Sequence, residues 1–273
     1  MSFAAPLSPP EGMPVLVAGC GGGYDVVCGL PVALALRSRG HRVHLASFAF
    51  TEVELVPGAH AELPGLYRVD SRCEPPPMGY FPEGFLSKWW ERTFEEEQPV
   101  WCYRRVGVAP LSEYFAHLRD RLGLGALVVV DGGVDGLFLG NEFDLGTPTT
   151  DAISILAAYS TTGLQRYYAF TAFGTEGFDH EVRHFDALER IADLVRTGAM
   201  LGVSALLQGQ EPGDRFLEAV DYLHARMERC WHSNMAGSVA AAMRGTFGDA
   251  RFSVKTEACP IWVSPLTLLY WFF

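Results

Sequence analysis

The sequence lacks any hydrophobic run long enough to cross a membrane. A transmembrane helix needs about 20 consecutive apolar residues, and the longest apolar segments, Ala126–Val130, Gly198–Leu207 and Leu266–Phe273, are far shorter. The amino terminus also lacks the basic segment and apolar segment that make up a secretory signal. We therefore expect a cytoplasmic protein with no membrane partner.

Positive charge is scarce as well. The 273-residue chain has 21 Lys+Arg against 32 Asp+Glu, which gives a formal net charge of −11. Proteins that bind nucleic acids carry clustered Lys and Arg side chains that contact phosphates, and the sequence contains no such cluster. We therefore expect a small-molecule substrate and no nucleic acid, and the sequence leaves a homo-oligomer open.

Cysteine pairs at the spacing of redox or zinc motifs are also missing. The six cysteines include no Cys-x-x-Cys pair, so we predict reduced thiols that are buried as small hydrophobic side chains. Hydrophobic residues, by contrast, make up 49% of the chain and charged residues only 19%. This composition predicts an extensive core and excludes disorder for most of the chain.

Alternating strand and helix patterns predict an α/β fold with a doubly wound, mostly parallel, Rossmann-like sheet. The β-branched run Val15–Ala18 is followed by a glycine loop, an amphipathic helix and a second strand, His41–Phe48. This order is typical of a βαβ unit with parallel strands. We expect residues 1–12 to form a flexible Pro-rich leader and residues 13–273 to form a single domain.

The same patterns predict the remaining elements. Helices are expected at Leu111–Leu122, Asp151–Thr162, Glu181–Thr197, Phe216–Cys230 and Met235–Arg244, and strands at Ala126–Val130, Gln165–Phe173, Gly198–Leu207, Ile261–Val263 and Leu268–Phe273. Residues 52–108 are rich in proline and aromatic residues and have no clear periodicity. Because long irregular segments are usually functional or disordered, we predict an ordered insertion after the second strand that folds over the sheet as a lid or forms an interface.

The glycine loop after the first strand is the first candidate site. It supplies the predicted ligand-binding residues Gly21, Gly22, Gly23, Tyr24 and Asp25. Successive glycines let backbone N–H groups approach a ligand, and a helix N-terminus attracts anions, so a phosphate or carboxylate is the expected guest. An NAD site would need Gly in place of Tyr24 and an acid where the second strand has Ser47, which argues against NAD. A plain strand-to-helix turn is the alternative.

Polar residues after the strand Ala126–Val130 form the second candidate site. Candidate catalytic residues are Asp131, Asp135 and Glu142, and candidate ligand contacts are Asn141 and Thr147. Strand ends face the ligand crevice of open α/β sheets, where carboxylates can bind a cation, act as acids or bases, or hold an amine or hydroxyl groups. A solvated loop with polar turns is the alternative.

His180 and His184 form the third candidate site. Their i, i+4 spacing on a predicted helix is used for paired metal ligands, so a divalent metal (Mg, Mn or Zn) is the expected cofactor. Eight histidines in 273 residues make such a pair common by chance. A surface or helix-capping pair is therefore the competing interpretation.

Several short motifs together carry a family resemblance. They are Gly21–Val26 with Gly29–Pro31, Phe81–Gly84, Asp131–Asp135, Leu145–Pro148 with Asp151, Arg244–Asp249, and the tail Pro265–Trp271. Over nearly its whole length the chain resembles an uncharacterised bacterial and archaeal family, domain of unknown function 1152. The resemblance implies a His-Gly-x-x-His segment at His180–His184, which strengthens the metal prediction although Glu181 replaces the small residue. It also implies an acid where this chain has Asn141.

The resemblance implies no reaction, so three functions stay open. The leading hypothesis is a biosynthetic or metabolic enzyme that uses a metal or a carboxylate for hydrolysis or group transfer. Its substrate would be an anionic or nucleotide-like molecule bound at the glycine loop. The second is a nucleotide-cofactor oxidoreductase, against which the missing ribose-binding acid argues. The third is a non-catalytic protein that binds an acidic metabolite, which Asn141 and the aromatic tail favour.

Overall fold

A computed structural model describes residues 3–142, 148–175 and 183–273 of the protein. Within these ranges a nine-stranded central sheet is flanked by helices, and a two-stranded sheet lies apart from it. This architecture confirms the predicted α/β class with a mostly parallel, Rossmann-like sheet. None of the helices in the described ranges is long and apolar enough to span a membrane.

The elements of the described chain are as follows. The strands are β1 (Val15–Cys20), β2 (Val43–Phe48), β3 (His60–Leu63), β4 (Leu66–Val69), β5 (Val100–Tyr103), β6 (Ala126–Asp131), β7 (Gln165–Phe170), β8 (Gly202–Ala205), β9 (Gly248–Ala250), β10 (Ile261–Val263) and β11 (Leu269–Phe272). The helices are α1 (Asp25–Cys28), α2 (Leu30–Ser38), α3 (Pro82–Phe94), α4 (Val108–Leu122), α5 (Pro148–Ser160), α6 (His184–Arg196), α7 (Glu211–His224), α8 (Asn234–Met243) and α9 (Val254–Ala258).

The large sheet has the strand order β3-β4-β5-β2-β1-β6-β7-β11-β8. Its five central strands, β5, β2, β1, β6 and β7, are parallel to one another, and their order matches the 3-2-1-4-5 order of doubly wound folds. The strands outside this block pair antiparallel. The chain leaves β1 toward β2 and leaves β6 toward β7, so the strand order reverses between β1 and β6.

Helices cover both faces of the sheet because side chains of a strand alternate between its faces. Val15 and Val17 of β1 belong to a core that includes α2, α7 and α8, whereas Leu16 and Ala18 pack in a second core with α4 and α5. The β1–β2 crossover therefore lies on one face and the β6–β7 crossover on the other. This arrangement opens a crevice between the carboxyl ends of β1 and β6.

The Pro-rich and aromatic segment 52–108 widens the sheet, which the sequence pattern did not predict. β5 pairs in parallel with β2, and β4 and β3 extend the edge antiparallel. From the same segment, α3 packs against α7 and buries Trp89 and Trp90. Strands of four residues show too little periodicity to be recognised, so these three were missed.

The amino-terminal residues also differ from the prediction of a flexible leader. Ala4 and Leu7 are fully buried, and the Phe3 ring lies edge-on to Tyr270, with 5.0 Å between ring centroids. The guanidinium of Arg39 donates to the carbonyl oxygens of Ala4 and Leu7. Apolar side chains in the leader thus pack against β11, although its proline content resembles that of a linker.

Candidate functional site

A cavity occupies the crevice at the carboxyl ends of β1 and β6. The two strands pair so that Cys20 lies opposite Asp131, and the chain turns away from the sheet directly after each residue. The cavity has a volume of about 730 Å³. This volume lies within the range of small-molecule sites, which are typically ~300–1,000 Å³.

Three carboxylates, those of Asp25, Asp131 and Asp151, converge at this cavity. One oxygen from each lies within 4.8 Å of the others, and each residue is at most 9% exposed. Asp131 ends β6, Asp25 begins α1 and Asp151 lies in the first turn of α5. The sequence placed Asp25 and Asp131 in candidate sites, whereas Asp151 was named only at the start of a predicted helix and in a family motif.

Glycines leave the space that this convergence needs. A Cβ atom at Gly21 would lie 1.9 Å from Asp151 Oδ1 and 2.9 Å from Asp25 Oδ2. One at Gly136 would lie 2.7 Å from Asp131 Oδ2. Any side chain at these positions would displace a carboxylate, so part of the glycine pattern serves the acids directly.

Hydrogen bonds hold two of the three carboxylates. The backbone N–H of Gly22 donates to Asp25 Oδ2 at 3.0 Å, and the Tyr168 hydroxyl donates to Asp131 Oδ2 at 3.0 Å. The sequence predicts that the glycine loop binds an external anion. At Gly22, however, the N–H group binds a carboxylate of the protein itself.

Burial and mutual repulsion disfavour full ionisation of the cluster. Burial, followed by the charge of Asp151, raises the pKa of Asp25 well above its usual value. Burial, followed by the charge of Asp135, raises the pKa of Asp151 to about 8. Asp135 is itself buried and lines the same cavity. Such a group of acids either retains a proton or binds a cation.

The family described as "Protein of unknown function (DUF1152)" matches residues 92–273. The chain belongs to this family. The matched range of this DUF1152 protein includes Asp131, Asp135 and Asp151, whereas Asp25 and the glycine loop precede it. No curated protein and no solved structure matches the chain.

The structure does not bring Glu142 and Asn141 of this DUF1152 protein to the cavity wall. Glu142 accepts hydrogen bonds from the backbone N–H groups of Leu139, Gly140 and Asn141 at 2.9–3.1 Å. Burial acts to raise the pKa of Glu142, but backbone N–H groups, including those of Leu139 and Gly140, and the charge of Arg190 outweigh it and hold the pKa below its usual value. Glu142 therefore stabilises its own loop, and its catalytic role beside Asp131 stays a prediction.

The predicted histidine pair is described only in part. His184 begins α6, where its Nε2 lies 3.5 Å from the Gly174 carbonyl oxygen and its ring lies against Phe173. It does not line the cavity. His180 lies outside the described residues, as does Thr147, so the histidine metal site and the Thr147 contact stay predictions.

The motif Phe81–Gly84 positions the wall of the cavity next to β2. Glu83 is fully buried and accepts hydrogen bonds from the Ser47 hydroxyl at 3.0 Å and the Thr51 hydroxyl at 2.6 Å. Its burial raises its pKa. These bonds fix the start of α3 against the end of β2. Tyr80, which directly precedes the motif, lines the cavity.

Several cavity-lining residues gave no signal in the sequence. They come from five separate segments and include Phe50, Met78, Tyr80, Arg105, Trp231, His232, Met235 and Lys255. Tyr80 adjoins a motif noted in the sequence. Met235 and Lys255 lie in α8 and α9 and the others in loops or short turns, and the tertiary fold alone brings them to the cavity.

Proposed function

We propose that the protein is a metal-dependent enzyme that catalyses hydrolysis of, or group transfer from, an anionic small molecule. The observation that carries this proposal is the convergence of Asp25, Asp131 and Asp151 within 4.8 Å in the crevice where open α/β sheets bind ligands. Buried like charges at this separation repel strongly, and a divalent cation between them removes the repulsion.

The donor set favours Mg²⁺ or Mn²⁺ as the cation. Hard divalent cations prefer carboxylate oxygens, whereas Zn²⁺ more often binds Cys sulfur or His nitrogen. In the described residues the cluster consists of carboxylates alone. Glycines on both sides keep it free of other side chains, and the cavity gives a substrate access to it. The fit is therefore better for Mg²⁺ or Mn²⁺ than for Zn²⁺.

In this proposal the acids of the cavity have two different roles, metal binding and proton transfer. A divalent cation supplies Lewis-acid polarisation of a substrate oxygen and lowers the pKa of a bound water. Asp25, Asp131 and Asp151 would hold that cation. Asp135 lines the same cavity, and we propose that its carboxylate accepts a proton from the attacking water. The water oxygen then bonds to the electrophilic atom, the bond to the leaving group breaks, and the leaving group is protonated from Asp135 or solvent.

Metal-free acid–base catalysis is the second candidate function. The raised pKa of Asp151, about 8, favours it because a carboxyl that stays protonated near neutral pH can act as a general acid. In that case Asp25 and Asp151 would share a proton, and no cation would be needed.

Calorimetric titration with Mn²⁺ tests the metal proposal. We expect the purified protein to bind a single Mn²⁺ per chain in the cluster, and Asp131→Asn to lose this binding because one ligand oxygen becomes a neutral amide. Asp249→Asn is the matched control, since this substitution removes the same charge at an exposed residue of β9. Equal binding by both variants would reject the metal centre, and absence of binding by the wild type would favour the metal-free candidate.

Tyr168→Phe is expected to weaken Mn²⁺ binding without unfolding the protein. The variant loses the hydrogen bond to Asp131 Oδ2 but keeps the ring, which lies 6.3 Å from that of Phe170. Loss of a partner that orients a metal ligand typically costs about 10–100-fold in affinity. The same titration measures the effect, and Tyr159→Phe, at an exposed tyrosine, is the control. Unchanged affinity in Tyr168→Phe would mean that this bond does not orient Asp131.

Asp135→Asn separates proton transfer from metal binding. We expect this variant to retain Mn²⁺ binding, because Asp135 is not one of the three clustered ligands, and to lose turnover by about 10²–10⁴-fold. Calorimetry and release of phosphate from phenyl phosphate measure the two properties. Loss of Mn²⁺ binding in Asp135→Asn would instead make Asp135 a ligand.

A further inference from the structure

A row of aromatic side chains, Phe50, Tyr80 and Trp231, lines the cavity beside the carboxylates. Phe50 and Tyr80 both approach Gly23, where a Cβ atom would lie 3.4 Å from Phe50 Cδ2 and 3.1 Å from the Tyr80 hydroxyl oxygen. The rings of Tyr80 and Trp231 meet edge-to-face with 5.5 Å between centroids. Phe50 remains 45% exposed. The row therefore offers an incompletely covered aromatic surface to a flat ligand.

Two cations line the same cavity without a carboxylate partner in the described part of the chain. The sequence has only two lysines, Lys88 and Lys255. Lys88 pairs with Glu74 at 3.3 Å, whereas Lys255 lines the cavity and forms no ion pair with the described residues. The guanidinium carbon of Arg105 lies 4.9 Å from the Phe50 ring centroid. In a chain with a net charge of −11, unpaired cations beside a cavity indicate an anionic guest.

The two cations flank the aromatic row. Arg105 stands over Phe50 at one end. Lys255 belongs to α9, which packs against the 3₁₀ turn Arg229–Trp231 at the other end. A ring on the row can therefore place an anionic substituent at a cation at either end.

The row also lies close to the carboxylates. Gly21 adjoins the carboxylates and Gly23 adjoins the row, and two residues span at most roughly 7 Å. A small ring on the aromatic row is thus about one substituent away from the proposed metal site.

We propose that the cavity binds a small molecule that combines a flat ring with an oxyanion, either a phosphate or a carboxylate. The ring packs against the row of Phe50, Tyr80 and Trp231, and the oxyanion binds Arg105 or Lys255 at one end of this row. This inference rests on the proposed function, because it names the substrate class of the same site. It also places the anion at side-chain cations rather than at the N–H of Gly22, which Asp25 already occupies.

Four probe molecules test the contributions of the ring and of the oxyanion to binding. Phenyl phosphate carries a ring and a phosphate, phenylacetate a ring and a carboxylate, inorganic phosphate only the anion, and phenol only the ring. We expect one of the first two to bind the Mn²⁺-supplemented protein at least about 10-fold more tightly than inorganic phosphate and phenol, equivalent to ~1.4 kcal/mol. Tighter binding of phenyl phosphate would identify the oxyanion as a phosphate, and tighter binding of phenylacetate would identify it as a carboxylate. Binding of phenol as tight as that of both anions, or no binding of any probe, would overturn the proposal.

Variants test the assigned contacts. Either Lys255→Gln or Arg105→Gln is expected to weaken binding of the preferred ring anion about 10-fold, the loss typical of one charge-assisted hydrogen bond. Unchanged binding in both variants would overturn the proposal. Lys88→Gln is the matched control and should bind as the wild type does. Tyr80→Leu should weaken binding of the ring anion but not of inorganic phosphate. Equal affinities in Lys255→Gln and Lys88→Gln would reject the role of Lys255.

The outcome of these titrations is separable from that of the metal proposal. Lys255→Gln and Arg105→Gln should keep the Mn²⁺ binding of the wild type when no organic ligand is present. Mn²⁺ binding without binding of any ring anion would overturn this inference and leave the metal centre standing. Binding of a ring anion that requires Lys255 or Arg105, by a protein that binds no Mn²⁺ in the same calorimetric titration, would support this inference and reject the metal centre.

Discussion

Asp151→Asn is expected to stabilise the metal-free protein at pH 8 and to abolish its stabilisation by Mn²⁺. Burial raises the pKa of Asp151 from 3.8 to about 8, so the folded protein holds this proton more tightly than the unfolded chain. Between these two values the unfolded state binds fewer protons, and the stability of the fold falls as the pH rises. The neutral amide carries no charge to bury and escapes this loss.

The difference in melting temperature between Asp151→Asn and the wild type should be large. A shift of one pKa unit corresponds to about 1.4 kcal/mol, and 1 kcal/mol moves the melting temperature of a domain of this size by roughly 2–4 °C. We therefore expect metal-free Asp151→Asn to melt at least about 5 °C above the wild type at pH 8 and with little difference at pH 4. Thermal unfolding followed by circular dichroism across this pH range measures it.

Mn²⁺ should reverse the order of the two proteins. A ligand that binds only the folded state raises its stability, and the wild type offers three carboxylates to the ion whereas the variant offers two. Asp249→Asn removes the same charge at an exposed position and should follow the wild type throughout. If Asp151→Asn kept the pH slope of the wild type, Asp151 would not carry the raised pKa.

The strands β1 and β6 at the centre of the sheet were predictable from the sequence because they are apolar runs followed by glycines. Val15–Cys20 and Ala126–Asp131 are buried on both faces, so their pattern needs no knowledge of partners. The edge strands β3 and β4 are four residues long, and their positions depend on pairing with β5. Such non-local pairing leaves no periodic signal in a short segment.

The candidate site was predictable only where chain position alone determines it. Asp25 and Asp131 follow strands that become neighbours in the sheet, so topology brings them together. Asp151 joins them because α5 packs across the end of β6, which is a tertiary contact. Glu142 follows the same strand as Asp131, but its carboxylate binds backbone N–H groups. Local sequence cannot distinguish an acid that faces a crevice from one that stabilises a loop.

The glycine loop and the acidic excess are related features of one site. The sequence predicts an anion at the loop, although the chain concentrates acids beside it. In the structure the Gly22 N–H donates to Asp25 and the lack of a side chain at Gly21 makes room for Asp151. The loop therefore stabilises carboxylates of the protein. A substrate anion then depends on a cation in the cluster and on the basic side chains of the cavity.

Gly21→Ala should disrupt the cluster, and Gly40→Ala provides the control for backbone strain. Both glycines have a positive φ, 96° and 86°, so alanine costs roughly 1–2 kcal/mol at either position. At Gly40 the new Cβ meets no atom within 4 Å, whereas at Gly21 it would lie 1.9 Å from Asp151 Oδ1. We expect both variants to lose stability, but only Gly21→Ala to lose Mn²⁺ binding in calorimetric titration.

A double-mutant cycle shows whether the Asp151 carboxylate causes the extra loss. Asp151→Ala removes the oxygens that the Cβ at Gly21 would strike, so Gly21→Ala should cost less stability in the Asp151→Ala background than in the wild type. Gly40→Ala should cost the same in both backgrounds, because it touches neither residue. Thermal unfolding of the six proteins yields both coupling energies. Equal costs of Gly21→Ala in the two backgrounds would mean that the glycine serves backbone geometry alone and does not make room for the acid.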